Sequence, residues 1–233
     1  MDEENQEIDF SILLASSIHD MKNSLAILLG SLSEITHQCG PESCRSHSDL
    51  LKIQDQGQRV NQNLIQLLAL YRINQNQYCL NVNEQYLADF FSEIILGNQE
   101  VLDNSGISIS VECEDNLSGY FDAELMRGVI NTIINNAHQY TKDKIILSAT
   151  NDQGYLAITV EDNGPGYPAS MLEPEVVDNT EINPVSFSTG STGLGLYFSN
   201  RVAAIHKNSG KHGYTKISND EKTGGGKFTI YLP

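Results

Sequence analysis

Two stretches of this 233-residue chain repeat apolar residues at alternating spacings of four and three, and that repeat narrows the fold before any other feature does. The first runs Leu14, Ile18, Met21, Leu25, Leu28, Leu32, Ile35; the second runs Leu50, Ile53, Gly57, Val60, Leu64, Leu67, Tyr71. A seven-residue repeat of this kind is a seam along one side of a long helix. Cys39-Gly40-Pro41 breaks the pattern between them, so residues 1–75 read as two helices of similar length in an antiparallel hairpin. Leu13, Leu29, Leu51 and Leu68 widen both stripes beyond what one partner helix covers. Pairing of two hairpins into a dimeric four-helix bundle is the arrangement that would bury them.

From about Gln75 the pattern changes to short β-like runs alternating with helical ones. The runs Tyr78 to Val82, Ile107 to Glu112, Lys144 to Ala149, Tyr155 to Val160 and Lys227 to Leu232 read as strands. Glu84 to Leu102, Ala123 to His138 and Leu194 to Lys207 read as helices, which makes residues 76–233 an α+β domain with a mixed sheet. Between Asn163 and Thr192 lies a stretch rich in Gly, Pro, Ser, Thr and Asn, with four acids (Glu173, Glu175, Asp178, Glu181) and no Lys or Arg. A loop of that length inside a compact domain is usually functional, often a lid.

Composition removes several function classes. Thirty acidic against fourteen basic residues give a net charge of −16, shared by both halves of the chain. Such a balance repels nucleic-acid phosphate and anionic lipid alike, so neither is an expected partner. No apolar run reaches the roughly 18 residues of a spanning helix, and the acidic start MDEENQEIDF is unlike a secretory signal, so a cytoplasmic protein without membrane insertion is expected. Cys39, Cys44, Cys79 and Cys113 lack paired metal-ligand spacing and read as reduced, incidental thiols.

Four short segments carry the chemistry. In Ser17-Ile18-His19-Asp20-Met21-Lys22-Asn23, Ile18 and Met21 occupy the a and d positions, which places His19 at b, facing solvent. Asp20 can accept a proton from one ring nitrogen and leave the other as a nucleophile, and Asn23, one helical turn on, can hold a water beside the ring. The helix Val129 to Thr141 is apolar yet carries Asn131, Asn135 and Asn136, amides suited to ligation. Glu161-Asp162-Asn163-Gly164-Pro165-Gly166 closes an apolar strand with an acid that can accept from an exocyclic amine and glycines that admit a flat ring or phosphate. Gly190-Ser191-Thr192-Gly193-Leu194-Gly195-Leu196 then opens a helix whose first amides can face an anion.

In this order these segments resemble the sensor histidine kinases across almost the whole chain. The His19 segment is similar to their H box, Asn136-Ala137 to their N box, Asp162-Asn163-Gly164-Pro165-Gly166 to their first glycine box and Gly193-Leu194-Gly195-Leu196 to their second. The resemblance implies an α+β protein: a dimerisation and phosphotransfer hairpin (1–75), then an ATP-binding sandwich of Bergerat type (76–233). It implies that His19 accepts the γ-phosphoryl group of ATP and passes it to an aspartate in the receiver domain of a response regulator. Asn136 would bind Mg²⁺ and Asp162 the adenine amine, while Gly164, Gly166, Gly193 and Gly195 shape the pocket and lid. Phe187 would stand for the lid phenylalanine. The Asp20-x-x-Asn23 run resembles the phosphatase signature of bifunctional members, which adds dephosphorylation of the regulator.

Departures from the family pattern bear on ATP. Thr132 stands where another asparagine is usual, Gln139 where a phosphate-contacting lysine is common, and Ser191 at the first glycine of G-x-G-L-G-L. Phosphates would be held mainly by Mg²⁺ and backbone amides. The alternative is a histidine phosphotransfer protein whose degenerate domain no longer binds ATP. An ATP-hydrolysing member of the wider fold is less favoured, because the position for a water-activating glutamate is Thr132. The upstream input domain of most family members is missing from the sequence, so signals are expected from a separate sensor protein or directly on this chain.

Overall fold

The computed structural model describes residues 10–38, 46–172 and 193–233, and divides the chain into two compact units, Met1–Cys79 and Leu80–Pro233. In the first unit, α1 (Phe10–Gln38) packs on α2 (His47–Asn74). The a positions turn inward, with Ile18 buried and Leu25, Leu32, Leu50, Leu64 and Tyr71 half-buried. Gly57 leaves room at this layer for Leu29, whose Cδ2 would lie 2.6 Å from a methyl group placed there. The d positions look outward. Met21, Leu28 and Ile35 are 48%, 56% and 51% exposed, and Ile53, Val60 and Leu67 are 55%, 51% and 42% exposed. One partner helix thus covers half of each seam and leaves the other half in water.

The second unit holds a five-stranded mixed sheet in the order β2-β4-β5-β9-β8, in which β2 and β4 are parallel and the other pairs antiparallel. Its strands are β2 (Ser108–Glu112), β4 (Lys144–Asp152), β5 (Tyr155–Asp162), β8 (Tyr214–Asn219) and β9 (Gly226–Leu232). Register places Ile145, Leu147 and Ala149, then Leu156, Ile158 and Val160, then Phe228, Ile230 and Leu232 on one face, all buried. Helices α3 (Leu87–Asn104), α4 (Ala123–Tyr140) and α6 (Leu194–Ile205) pack against the sheet. The opposite face is largely polar, and there Thr159 and Thr229 share a hydroxyl–hydroxyl bond of 3.0 Å.

Smaller elements complete the unit. Strands β1 (Val82–Tyr86) and β3 (Ser118–Asp122) pair antiparallel, β6 (Lys207–Asn208) and β7 (Lys211–His212) form a short hairpin, and α5 (Ala169–Leu172) is a single turn. Here the sequence reading needs correcting. The first strand covers 82–86 rather than 78–82, so α3 begins at Leu87 instead of Glu84, while β3 and β8 were not anticipated. The reason is visible in burial: Val82, Asn83, Glu84 and Tyr86 are all exposed, so β1 carries no alternating apolar signature.

Helix α4 shows how sequence sets an element that positions the site. Asp122 caps its start, with Oδ1 accepting from the N–H groups of Glu124 and Leu125 at 3.1 Å each. Leu125, Met126, Val129, Ile130, Ile133, Ile134 and Ala137 then supply a buried stripe. His206, the residue after α6, reinforces that start: Nε2 accepts from the Asp122 N–H at 3.1 Å, while Nδ1 donates to the Val202 carbonyl at 2.7 Å.

Candidate functional site

The residues singled out from sequence in the second unit gather around the last turns of α4. Gly195, near the start of α6, lies so close to α4 that a methyl group on it would stand 2.6 Å from Thr132 Cγ2 and 3.8 Å from Asn136 Nδ2. One turn beyond Asn136, the Tyr140 carbonyl touches the place a side chain on Gly164 would occupy. Gly164 donates its N–H to Asp162 Oδ1 at 2.7 Å. Asn136, Asp162, Gly164 and Gly195 are therefore linked through neighbouring contacts on one helix end. Gly166 follows with φ at +77°, a conformation that side chains rarely adopt. Gly193 caps α6 with φ at +60°.

Asp162 closes β5 opposite Ile145, on the side of the sheet that faces the helices. Its Oδ1 is committed to Gly164, whereas Oδ2 accepts no hydrogen bond among the described residues. Tyr167 lies beside it. Burial first, and then the Asp162 charge, push the Tyr167 hydroxyl up to about 12, so it remains protonated at neutral pH. Asn163 turns away from this side: its Oδ1 accepts from Thr141 Oγ1 at 2.8 Å and from the N–H groups of Lys142, Asp143 and Lys144 at 3.2 Å each. It fastens the α4–β4 turn and has no ligand to spare.

The amides of α4 divide in the same way. Asn131 accepts from Asn98 Nδ2 of α3 at 2.9 Å and is occupied there. Thr132 is buried and donates to the Gly128 carbonyl at 2.6 Å. Gln139 is exposed, with Nε2 turned back to the Asn135 carbonyl at 3.2 Å. Asn136 is half-buried, and its side-chain amide makes no hydrogen bond among the described residues. A free amide oxygen suits a hard cation that keeps most of its coordination for phosphate and water, which is how Mg²⁺ binds. No cluster of three His, Cys, Asp or Glu occurs among the described residues, so protein carboxylates do not offer a competing cage. Ser191 and the lid candidate Phe187 lie outside the described residues, as do Cys39 and Cys44; Cys79 and Cys113 are free thiols.

In the first unit His19 stands on α1 with 53% of its side chain exposed. Asn23 Nδ2 lies 3.2 Å from Nδ1, and Asp20 Oδ1 lies 3.7 Å from the same nitrogen, beyond hydrogen-bond length. Both neighbours address Nδ1. Nε2 has no partner among the described residues.

Sequence reasoning passed over the β8–β9 turn. Asn219, the last residue of β8, accepts the Tyr167 N–H on Oδ1 at 2.7 Å and donates Nδ2 to the Tyr167 carbonyl at 2.9 Å. Gly224, Gly225 and Gly226 follow, and side chains on Gly225 and Gly226 would strike the Asp162 carbonyl and carboxylate. The run of three glycines was a readable signal; nothing in the sequence marks Asn219.

Residues 121–233 match the histidine kinase-, DNA gyrase B-, and HSP90-like ATPase family. That span holds Asn136, Asp162 and both glycine-rich segments. A sensor histidine kinase of Synechocystis, RppB, is 26% identical over 94% of this chain and 48% of its own length. Among solved structures, the Acinetobacter baumannii histidine kinase AdeS aligns with a TM-score of 0.57 at 17% identity, over 92% of this chain and 96% of that one. Full-length ShkA, solved in complex with AMPPNP, aligns with a TM-score of 0.64 at 18% identity, over 95% of this chain and 45% of ShkA. These likenesses show an α+β fold with an ATPase sandwich of Bergerat type. The chain spans 17% to 48% of the length of the first curated relatives it matches.

Proposed function

We propose that this chain is an ATP-dependent histidine kinase of a two-component system, which phosphorylates His19 and passes the group to an aspartate on a response regulator receiver domain. The observation that carries the reading is the pairing, in one chain, of an exposed helical histidine bracketed by Asp20 and Asn23 with an ATPase domain of the family that includes histidine kinases. The family match and the histidine kinase relatives support ATP binding and phosphoryl transfer at that general level.

The chemistry asks Nε2 of His19 to attack the γ-phosphorus while the bond to the β-bridging oxygen breaks and ADP leaves. Nε2 must then hold its lone pair, with the ring proton on Nδ1. Asp20 needs to close from 3.7 Å to accept that proton in a hydrogen bond, and Asn23 to present its amide oxygen in place of Nδ2. The charge on Asp20 then stabilises the cationic ring as the N–P bond forms. At the nucleotide, Asp162 Oδ2 accepts from the adenine amine, Asn136 offers its amide oxygen toward a bound Mg²⁺, and the amides after Gly193 face phosphate. Mg²⁺ supplies charge neutralisation on the phosphates. The exposed d residues of α1 and α2 form the surface through which two copies pair as a homodimer, and input comes from a separate sensor protein.

Gln139 and Thr132 favour a second reading. Thr132 Oγ1 donates to the Gly128 carbonyl and Gln139 Nε2 to the Asn135 carbonyl, and neither side chain carries the charge with which a lysine would hold phosphate. A phosphotransfer protein that receives its phosphoryl group from elsewhere would tolerate that. One experiment separates the two: incubation with γ-labelled ATP and Mg²⁺. The kinase gains acid-labile, alkali-stable label that His19→Gln abolishes, whereas wild-type protein without label belongs to the phosphotransfer reading.

A further inference from the structure

The β8–β9 turn meets Asp162 through Gly225 and Gly226, outside the four segments singled out from sequence. Asn219 grips Tyr167 through both of its polar atoms, pairing with the Tyr167 peptide as a neighbouring strand would. That grip holds the chain immediately after Gly166, whose missing side chain would run into the Gly224 carbonyl and the Asn219 amide. Asp220 then fixes the turn itself, its Oδ1 accepting from Lys222 N at 3.0 Å, Thr223 N at 2.7 Å and Thr223 Oγ1 at 2.9 Å. Two backbone bonds of 2.9 Å, Asp220 N to the Gly225 carbonyl and Gly224 N to the Asp220 carbonyl, close it.

The closed turn delivers Gly226 to Asp162. A methyl group at Gly226 would stand 2.7 Å from Asp162 Oδ2 and 3.3 Å from Tyr167 Cε2. Oδ2 accepts no hydrogen bond among the described residues, and the Gly226 backbone can approach it this closely because position 226 has no side chain. We propose that Asn219 is a positioning residue for base recognition: by clamping Tyr167 to the β8–β9 turn it holds Tyr167 and the Gly226 backbone packed against Asp162 and so fixes the direction in which Oδ2 meets an exocyclic amine. This rests on the nucleotide reading of Asp162. The ligand class is a purine carrying an amine at the position Oδ2 can reach, and the discrimination is against a carbonyl there, which would set two acceptors face to face.

The test is calorimetry of the full chain with MgATP and with MgGTP, on wild type, Asn219→Ala, Asn219→Asp and Gly226→Ala, with thermal midpoints recorded. Asn219→Ala is expected to weaken ATP about tenfold while leaving the far weaker GTP almost unchanged, so the preference ratio collapses. Asn219→Asp keeps the acceptor for the Tyr167 N–H and should retain part of the ratio; Gly226→Ala should lose ATP without a matching fall in midpoint. A merely structural role lowers both affinities together and leaves the ratio intact, which overturns the proposal even if Asn219→Ala is partly unfolded, because Asn219→Asp reports the same ratio. Wild type that binds ATP while all three variants keep its preference overturns the positioning role alone. Wild type that binds neither nucleotide overturns the nucleotide reading and this proposal with it.

Discussion

At the scale of single residues, two histidines show how environment assigns opposite tasks to one side chain. His19 is exposed, with no partner to Nε2 among the described residues, whereas His206 is buried at 3% exposure with each nitrogen fixed in role. Desolvation lowers the His206 pKa from 6.5, outweighing the Val202 carbonyl and the Asp122 charge, which raise it. The folded state then binds fewer protons than the unfolded chain, so the contribution of His206 is intact above pH 6.5 and falls as pH drops below that value. The expected outcome is a wild-type melting temperature that declines between about pH 7 and about pH 5, with a shallower decline in His206→Gln, whose own cost at neutral pH is about 1–3 kcal/mol for the stranded Asp122 N–H. Equal slopes would remove His206 from the pH dependence. At His19, Asn23→Ala is expected to keep histidine phosphorylation and transfer yet lose stimulated decay of the phosphorylated regulator, read as the regulator's half-life. Equal shortening by both proteins would place Asn23 outside that chemistry.

At the scale of elements, legibility tracked periodicity. The seams of α1 and α2 and the apolar stripe of α4 were plain in the sequence, because each packs one face on a neighbour and leaves a repeat behind. Strands β1 and β3 were not, since a two-stranded ribbon with exposed Val82, Glu84, Tyr86 and Tyr120 needs no alternation. The candidate site could be named from the sequence where the proposed chemistry calls for a residue type, as at His19, Asp162 and Gly195. It was illegible at Asn219, whose meaning arises only when β8 is laid beside β9 and its end meets Tyr167. What periodicity could not tell was which half of each seam faces the partner helix. The a layer does, and substitutions should therefore divide: a charge at half-buried Leu64 is expected to cost about 2–4 kcal/mol of helical stability. A charge at Leu28, 56% exposed, should leave the helices folded and convert a dimer to a monomer in sedimentation. A dimer that survives Leu28→Glu would move the interface elsewhere.

At the scale of the whole molecule, the ATP affinity of the proposed kinase is expected to turn on the side chain at position 139. Gln139 is exposed, and among the described residues its side chain bonds only to the Asn135 carbonyl of its own helix. Gln139→Lys is expected to tighten MgATP about tenfold by calorimetry through a charge-assisted bond, and an unchanged affinity would mean that backbone amides and Mg²⁺ already suffice. No helix among the described residues is long and apolar enough to cross a membrane. The inward a layer and outward d layer of α1 and α2 also carry a consequence for lineage. On the proposed homodimer, residues that hold one hairpin together and residues that would choose its mate are different residues, so duplicated copies of such a chain could drift apart in mating preference through Met21, Leu28, Val60 and Leu67 while inheriting the same folded hairpin.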